Sequence, residues 1–189
     1  MAERFSQKNL RVRPSSEEDK IVTKAKEHFE KTLVEISGEL VGSVAALEHP
    51  TKNKKLNYGE IFLRDNVPVM IFLITQKRYD IVRKFLSVCL ELQSTNYQTR
   101  GVFPTSFVEE NGTLIGDYGQ RSIGRITSAD ASLWWPILCW FYVNKSGDHS
   151  FGKSQSVQRG IQLLLDLVLH PTFEGTPVLF VPDCAFMID

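Results

Sequence analysis

The residues best suited to chemistry lie in one glycine-punctuated stretch, residues 116–135, which reads GDYGQRSIGRITSADASLWW. The stretch brings one carboxylate, that of Asp130, to the start of a tryptophan-rich apolar run. A carboxyl group that protonates a substrate must hold its proton near neutral pH, which apolar surroundings favour. An aspartate in this context is also typical of a helix N-cap, which accepts hydrogen bonds from the first amides. The local pattern alone favours the cap and leaves a general acid as the alternative.

Three further polar side chains are candidates for binding a ligand. Arg64 and Asp65, in the segment FLRDNVP, offer fixed donors and acceptors that suit the hydroxyl groups of a polyol. The alternative for this pair is an N-cap with an adjacent surface arginine, which the pattern alone favours. Arg125 either positions Asp130 or contacts the substrate, and an ordinary structural salt bridge explains it equally well.

Trp134 and Trp135 are adjacent and lie in a segment with helical periodicity. Neighbouring residues on a helix point in different directions, so at most one of the two rings can stack on a ligand. We assign that role to Trp134 and expect the other ring to belong to the core.

The sequence carries no sign of a metal or a cofactor. Its three cysteines, Cys89, Cys139 and Cys184, are far apart and have no histidines nearby at metal-ligand spacing. They are typical of buried thiols in a reducing compartment. The phosphate-loop, dinucleotide-binding and serine-hydrolase motifs are also missing from the sequence.

The charge balance points away from nucleic acid and from membranes. Lys plus Arg equals Asp plus Glu at 22 each, so no net field attracts a polyanion, and a neutral ligand fits better. The longest apolar run, 133–143, is too short to span a bilayer, and the N-terminal segment lacks the apolar core of a secretory signal. We therefore expect a cytoplasmic protein.

Hydrophobic periodicity predicts helices around a long loop. A capping box at Ser15 and Glu18 precedes apolar residues that continue at spacings of three and four as far as Val44, which predicts one long helix. Residues 95–128 are rich in glycine and predict a loop with a hairpin at Asn111-Gly112. The other predicted helices are 67–74, begun by Asp65 or Asn66 with Pro68 in the first turn, 79–93, one from Leu133 and one from Val157. Helices that are apolar all round alternate with helices that are apolar on one side. This alternation favours an inner layer of helices covered by an outer layer.

Several separate blocks of the sequence resemble one known family, the neutral/alkaline invertases of glycoside hydrolase family 100. The resemblance covers nearly the whole chain from about Lys20 onward. The blocks are LNYGEIFLRDNVPV (56–69), GVFPTSF (101–107), DYGQRSIGRITSADASLWW (117–135), SGD (146–148) and PDCAFMID (182–189).

This resemblance implies an all-α fold, an α/α toroid of the six-hairpin barrel type with a long loop and β-hairpin insertion. Residues 1–16 would be a polar tail, and 17–189 the N-terminal part of the barrel that forms the catalytic domain. The implied activity is hydrolysis of sucrose to glucose and fructose without metal or cofactor. The implied general acid is Asp130, and the block strengthens Asp65 as a sugar-binding residue more than Arg64.

The resemblance also implies an inverting mechanism, which needs a second carboxylate as general base. In the family this base is a glutamate in the later half of the protein, beyond Asp189. Asp65, Asp117 and Asp183 lie in resembling blocks, but the resemblance gives none of them that role. A proline at 136 also departs from the family, and inside a helix it removes an amide donor.

The alternative is a truncated, non-catalytic helical module that needs a partner or the missing C-terminal half. Five helices of this kind cover one another's apolar faces only in part, which favours completion by further chain or by self-association into a homo-oligomer.

Overall fold

The computed structural model describes residues 16–44, 58–96, 100–119 and 129–169. The described residues form six helices and five short strands. The helices are α1 (Ser16–Glu30), α2 (Leu63–Thr75), α3 (Tyr79–Glu91), α4 (Ala129–Ser146), α5 (His149–Gly152) and α6 (Gln155–Val168). The strands are β1 (Leu33–Ile36), β2 (Glu39–Ser43), β3 (Ile61–Phe62), β4 (Ser106–Glu110) and β5 (Thr113–Asp117).

The chain divides into two units, residues 1–31 and 32–189. The first contains α1, a solvent-exposed helix with acidic residues in its first turn, as the helix dipole favours. All other elements belong to the second unit. Among the described residues, no helix is long and apolar enough to cross a bilayer.

The predicted predominance of helix is confirmed, and the second unit also contains two small antiparallel sheets, one of them where a helix is predicted. One is the β1–β2 hairpin, which replaces the far end of the predicted long helix. Its turn residues, Ser37 and Gly38, have φ angles of 52° and 84°. A two-residue turn with both φ angles positive matches the twist of a hairpin. The apolar spacing that suggests a helix is therefore interrupted by a turn, and Ile36 and Val41 are buried from the strands instead.

The second sheet has the order β3-β4-β5 and contains the predicted hairpin. Its turn is Asn111-Gly112, with φ angles of 53° and 74°, so the prediction from that dipeptide is confirmed. At the other end of the hairpin Ser106 pairs with Asp117. β3 adds only two residues to this sheet before the chain turns into α2.

Aromatic side chains connect the sheet to the helices in the core. The rings of Phe103 and Trp135 stack with centroids 4.7 Å apart and planes 17° apart. The indole Nε1 of Trp135 donates a hydrogen bond to the carbonyl of Leu86 on α3, at 3.1 Å. Trp135 is therefore a core residue, as expected for one of the two adjacent tryptophans.

Two of the three cysteines are confirmed as buried and outside any disulfide, Cys89 on α3 and Cys139 on α4. Burial raises the pKa of the Cys89 thiol well above its usual value, and raises that of Cys139 to about 11. Cys184 lies outside the described residues.

The helices α2 and α4 begin differently from the prediction. α2 starts at Leu63, so Asp65 lies inside its first turn and Pro68 lies beyond that turn. α4 starts at Ala129, so Asp130 is its second residue and not its N-cap. α4 also continues through Pro136.

Each of these two prolines removes one main-chain hydrogen bond from its helix, because a proline nitrogen carries no hydrogen. Pro68 cannot donate to the carbonyl of Arg64, and Pro136 cannot donate to that of Ser132. The first turns of both helices are therefore tied less firmly to the turns that follow.

The turn between α4 and α5 is built around the carboxylate of Asp148. Its Oδ1 accepts hydrogen bonds from the Ser150 hydroxyl at 2.6 Å and the Phe151 amide at 3.0 Å. Its Oδ2 accepts from the Tyr142 hydroxyl at 2.9 Å and lies 3.2 Å from Nε of Arg83. These donors, the Ser150 hydroxyl foremost, lower the pKa of Asp148 from 3.8 to about 2.

Because this pKa is lower in the folded chain, Asp148 should stabilise the fold fully above pH 3.8 and lose that contribution as the pH falls toward 2. We expect the free energy of unfolding of the wild type to exceed that of Asp148→Asn at pH 6, and the two to converge as the pH falls to about 2. Chemical denaturation at a series of pH values measures this. Ser150→Ala is the partial control, and a constant gap across the whole range would contradict the assignment.

Candidate active site

Three charged side chains that the sequence singles out meet at the N-terminal ends of α2 and α4. The guanidinium of Arg64 lies between two carboxylates: its Nε is 3.9 Å from Oδ1 of Asp65, and one of its terminal nitrogens is 3.8 Å from Oδ1 of Asp130. The side chains are 30% exposed for Arg64, 50% for Asp65 and 45% for Asp130. The cluster is therefore open to solvent and to a ligand.

One stretch of chain, Phe103–Thr105, holds the first turns of both helices. The Leu63 amide at the start of α2 donates to the carbonyl of Thr105 at 2.9 Å. The Phe103 amide donates to the hydroxyl of Ser132, in the first turns of α4, at 3.0 Å. Arg64 follows Leu63 directly and Asp130 precedes Ser132 by two residues, so this stretch sets the distance between the two charges.

Asn66 connects α2 to the β1–β2 hairpin. The residue is 1% exposed. Oδ1 accepts from the Ser43 amide at 2.8 Å, while Nδ2 donates to the carbonyls of Ser43 at 2.9 Å and Phe62 at 2.8 Å. A Cβ added at Gly42 would lie only 2.9 Å from Oδ1 of Asn66, so the strand can approach this closely only with a glycine there.

Exposed apolar side chains lie on the same two helices as the charged cluster. Trp134 is one helical turn beyond Asp130 on the same face of α4 and is 37% exposed. The other exposed large apolar residues of α4 and α2 are Leu133, Ile137, Trp140, Ile71 and Phe72. We refer to these six residues as the apolar face.

This geometry suits a neutral, polyhydroxylated ligand. Carboxylate oxygens accept hydrogen bonds from hydroxyl groups, a guanidinium donates to them, and an exposed indole offers a flat apolar surface. A carboxylate at the open edge of such a cluster can also exchange a proton with a bound oxygen atom. Among the described residues, no group of three or more His, Cys, Asp or Glu side chains is placed to hold a metal ion.

The structure thus brings together Asp130, Arg64 and Asp65, and places Trp134 on the same helical face as Asp130. Arg125 lies outside the described residues. Asn66 and Ser132 are additions that the sequence does not reveal in this role. In the sequence, Asn66 reads as a candidate N-cap and Ser132 as an ordinary helix residue.

Two other acidic residues near these helices are buried within the second sheet. Glu60 accepts a hydrogen bond from the Ser106 hydroxyl at 2.7 Å, and Oδ1 of Asp117 accepts one from the Gly119 amide at 3.0 Å. Both carboxylates are therefore engaged in local structure. Asp183, which also belongs to a resembling block, lies outside the described residues.

Comparison with known proteins identifies the family of this chain. Residues 25–189 match the family model for alkaline and neutral invertase, glycoside hydrolase family 100. The chain belongs to this family. The resemblance seen in the sequence blocks is thereby confirmed.

Among the relatives, the alkaline/neutral invertase CINV2 of Arabidopsis thaliana is 34% identical over 95% of this chain and 34% of its own length. The mitochondrial neutral/alkaline invertase 1 of Oryza sativa subsp. japonica is 36% identical over 84% of this chain and 28% of its own length. Cytosolic invertase 1 of the same plant is 33% identical over 93% of this chain and 33% of its own length. The chain therefore spans about a third of the length of these invertases. Their names indicate more than one compartment, so the cytoplasmic location stays a prediction.

The buried amide of Asn66 gives a direct test of the junction between α2 and the hairpin. Asn66→Ala leaves the Ser43 amide and two carbonyls without their side-chain partner, and we expect it to lower the free energy of unfolding by about 2 to 4 kcal/mol. The matched control is Asn144→Ala, because Asn144 is exposed and its Nδ2 donates to the Trp140 carbonyl. Denaturant unfolding of both variants should show a much smaller effect for the control, and equal effects would contradict the assigned role.

Proposed function

We propose that this chain provides the acid side of a sucrose-hydrolysing site, with Asp130 as the general acid. The observation that carries the proposal is the meeting of Arg64, Asp65 and Asp130 in a chain of the invertase family. Sucrose is the proposed substrate because the relatives are named as invertases.

In this proposal Asp130 gives its proton to the oxygen that bridges glucose and fructose as the glycosidic bond breaks. A second carboxylate on the opposite face takes a proton from water, and the oxygen of that water bonds to the anomeric carbon. The products are one glucose and one fructose. Inversion requires the two carboxyl groups to stand about 6.5 to 9.5 Å apart to admit the water.

The remaining site residues bind and orient the sugar in the same proposal. Arg64 and Asp65 hydrogen-bond to sugar hydroxyls. Trp134 stacks against a sugar ring, and Arg125 completes the polar lining. The general base is proposed to belong to a part of the catalytic domain that these 189 residues do not include, and the reaction uses no cofactor.

We further propose that residues 17–189 form the first part of an α/α toroid. α2 and α4 carry apolar residues on all sides, whereas α3 and α6 are apolar on one side. This division supports an arrangement of inner and outer helices. In that arrangement the charged cluster of Arg64, Asp65 and Asp130 faces the axial pocket, and further inner helices cover the apolar face.

Asp130→Asn tests the acid role, because the amide keeps the shape and has no proton to transfer. The chain is assayed alone and mixed with the separately produced C-terminal part of an alkaline/neutral invertase. We expect sucrose hydrolysis only in the mixture, and a loss of at least about 100-fold in kcat/KM for Asp130→Asn. Hydrolysis of glucosyl or fructosyl fluoride should change less than about tenfold, since fluoride leaves without a proton.

Asp80→Asn is the matched control, because Asp80 is the second residue of α3 as Asp130 is of α4. Its kcat/KM on both substrates should stay within about twofold of the wild type. Near-normal sucrose hydrolysis by Asp130→Asn would refute the acid role. Turnover of sucrose by the chain alone, at the rate of a full-length relative, would refute the proposal that the base is elsewhere.

The apolar face favours a second candidate function, that of a non-catalytic helical module that associates with another chain. Trp140 is 64% exposed and Ile137 is 52% exposed on α4, which is unusual for large apolar side chains that lie close together. In this case we expect concentration-dependent self-association that Trp140→Gln weakens at least about fivefold.

Light scattering over a concentration series measures this association. Leu165→Gln is the control, because Leu165 is also an exposed large apolar residue but lies on α6. A stable monomer at all concentrations would exclude self-association through this face, and an equal effect of the two variants would exclude a specific one.

A further inference from the structure

Ser132 is a buried hydroxyl group placed within one helical turn of the proposed acid. Ser132 is 6% exposed, and its Oγ accepts a hydrogen bond of 3.0 Å from the amide of Phe103. Phe103 itself is fully buried. This contact joins α4 directly to the chain segment that precedes β4, 29 residues away along the sequence.

The first turns of α4 need such an outside attachment. Because Pro136 cannot donate to the carbonyl of Ser132, this part of the helix lacks one of its usual bonds to the next turn. A turn with fewer internal bonds opens and shifts more readily. The Ser132 hydroxyl offers a replacement bond, but to a partner outside the helix.

The partner of Ser132 is itself fixed. The ring of Phe103 is stacked on Trp135, and two residues later Thr105 accepts the amide of Leu63 at the start of α2. The segment that anchors Ser132 therefore also anchors the turn that carries Arg64. A shift of Ser132 relative to Phe103 moves Asp130 relative to Arg64.

We propose that Ser132 is a positioning residue for Asp130, acting through its hydrogen bond to the Phe103 amide. The proposal rests on the proposed function, since it concerns the place from which Asp130 delivers its proton. Ser132 does not touch the substrate. It keeps the carboxyl group within the short reach that proton transfer requires.

The test compares substrates that differ in their need for a proton. Sucrose and a glycosyl fluoride are assayed with the complete chain plus the C-terminal part of an alkaline/neutral invertase. We expect Ser132→Ala to lower kcat/KM for sucrose by at least about tenfold, mainly through kcat, and for the fluoride by less than about threefold. Ser132→Thr, which keeps the hydroxyl acceptor, should restore most of the activity on sucrose.

Ser146→Ala is the matched control. The Ser146 hydroxyl also accepts a main-chain amide hydrogen, that of Asp148 at 3.1 Å, and it lies at the opposite end of the same helix. This variant should lose a comparable amount of stability in denaturant unfolding, yet leave the ratio of the two activities unchanged. A merely structural role for Ser132 predicts the same behaviour for both variants.

The outcomes separate failure of this inference from failure of the proposed function. One outcome is that Asp130→Asn loses sucrose hydrolysis selectively, while Ser132→Ala either lowers both activities equally or lowers neither. In that case Ser132 does not position the acid. If Asp130→Asn itself shows no dependence on the leaving group, or the wild-type mixture hydrolyses neither substrate, the proposed function falls and this inference falls with it.

Discussion

The arrangement of charges depends on the hydrogen bonds that the stretch Phe103–Thr105 makes to two helices at once. A guanidinium and two carboxylates attract one another only weakly at a solvent-exposed surface, so their attraction cannot fix their positions. The main chain must do so. Since Pro68 and Pro136 each remove a bond from the helices concerned, the contacts of Leu63 and Ser132 with this stretch set the geometry of the site.

The positions of the helices follow largely from periodicity, and where the prediction is wrong the cause is local. In the predicted long helix, Ser37 and Gly38 adopt positive φ angles and reverse the chain. Apolar residues on either side of that turn happen to continue the helical spacing, so periodicity alone does not detect it. The Asn111-Gly112 hairpin is predictable because the dipeptide itself specifies the turn.

The charged residues of the cluster stand out only when the family blocks are added, because the local pattern alone favours helix caps and a surface arginine. Those blocks favour Asp130 and Asp65 more than Arg64, and the meeting of the three side chains is seen only in the fold. Asn66 and Ser132 are different, since their roles depend on partners 23 and 29 residues away. No local pattern encodes such a contact, and only the packing of strands against helix ends reveals it.

The two buried thiols have a practical consequence. Cys89 and Cys139 lie on the neighbouring helices α3 and α4. Alkylation requires attack by a thiolate on the reagent, and burial disfavours the thiolate form of both residues. Alkylation of these two thiols in native buffer therefore requires the two helices to separate. The rate at which these two thiols are labelled therefore reports how often α3 and α4 separate, and no cysteine has to be introduced to measure it.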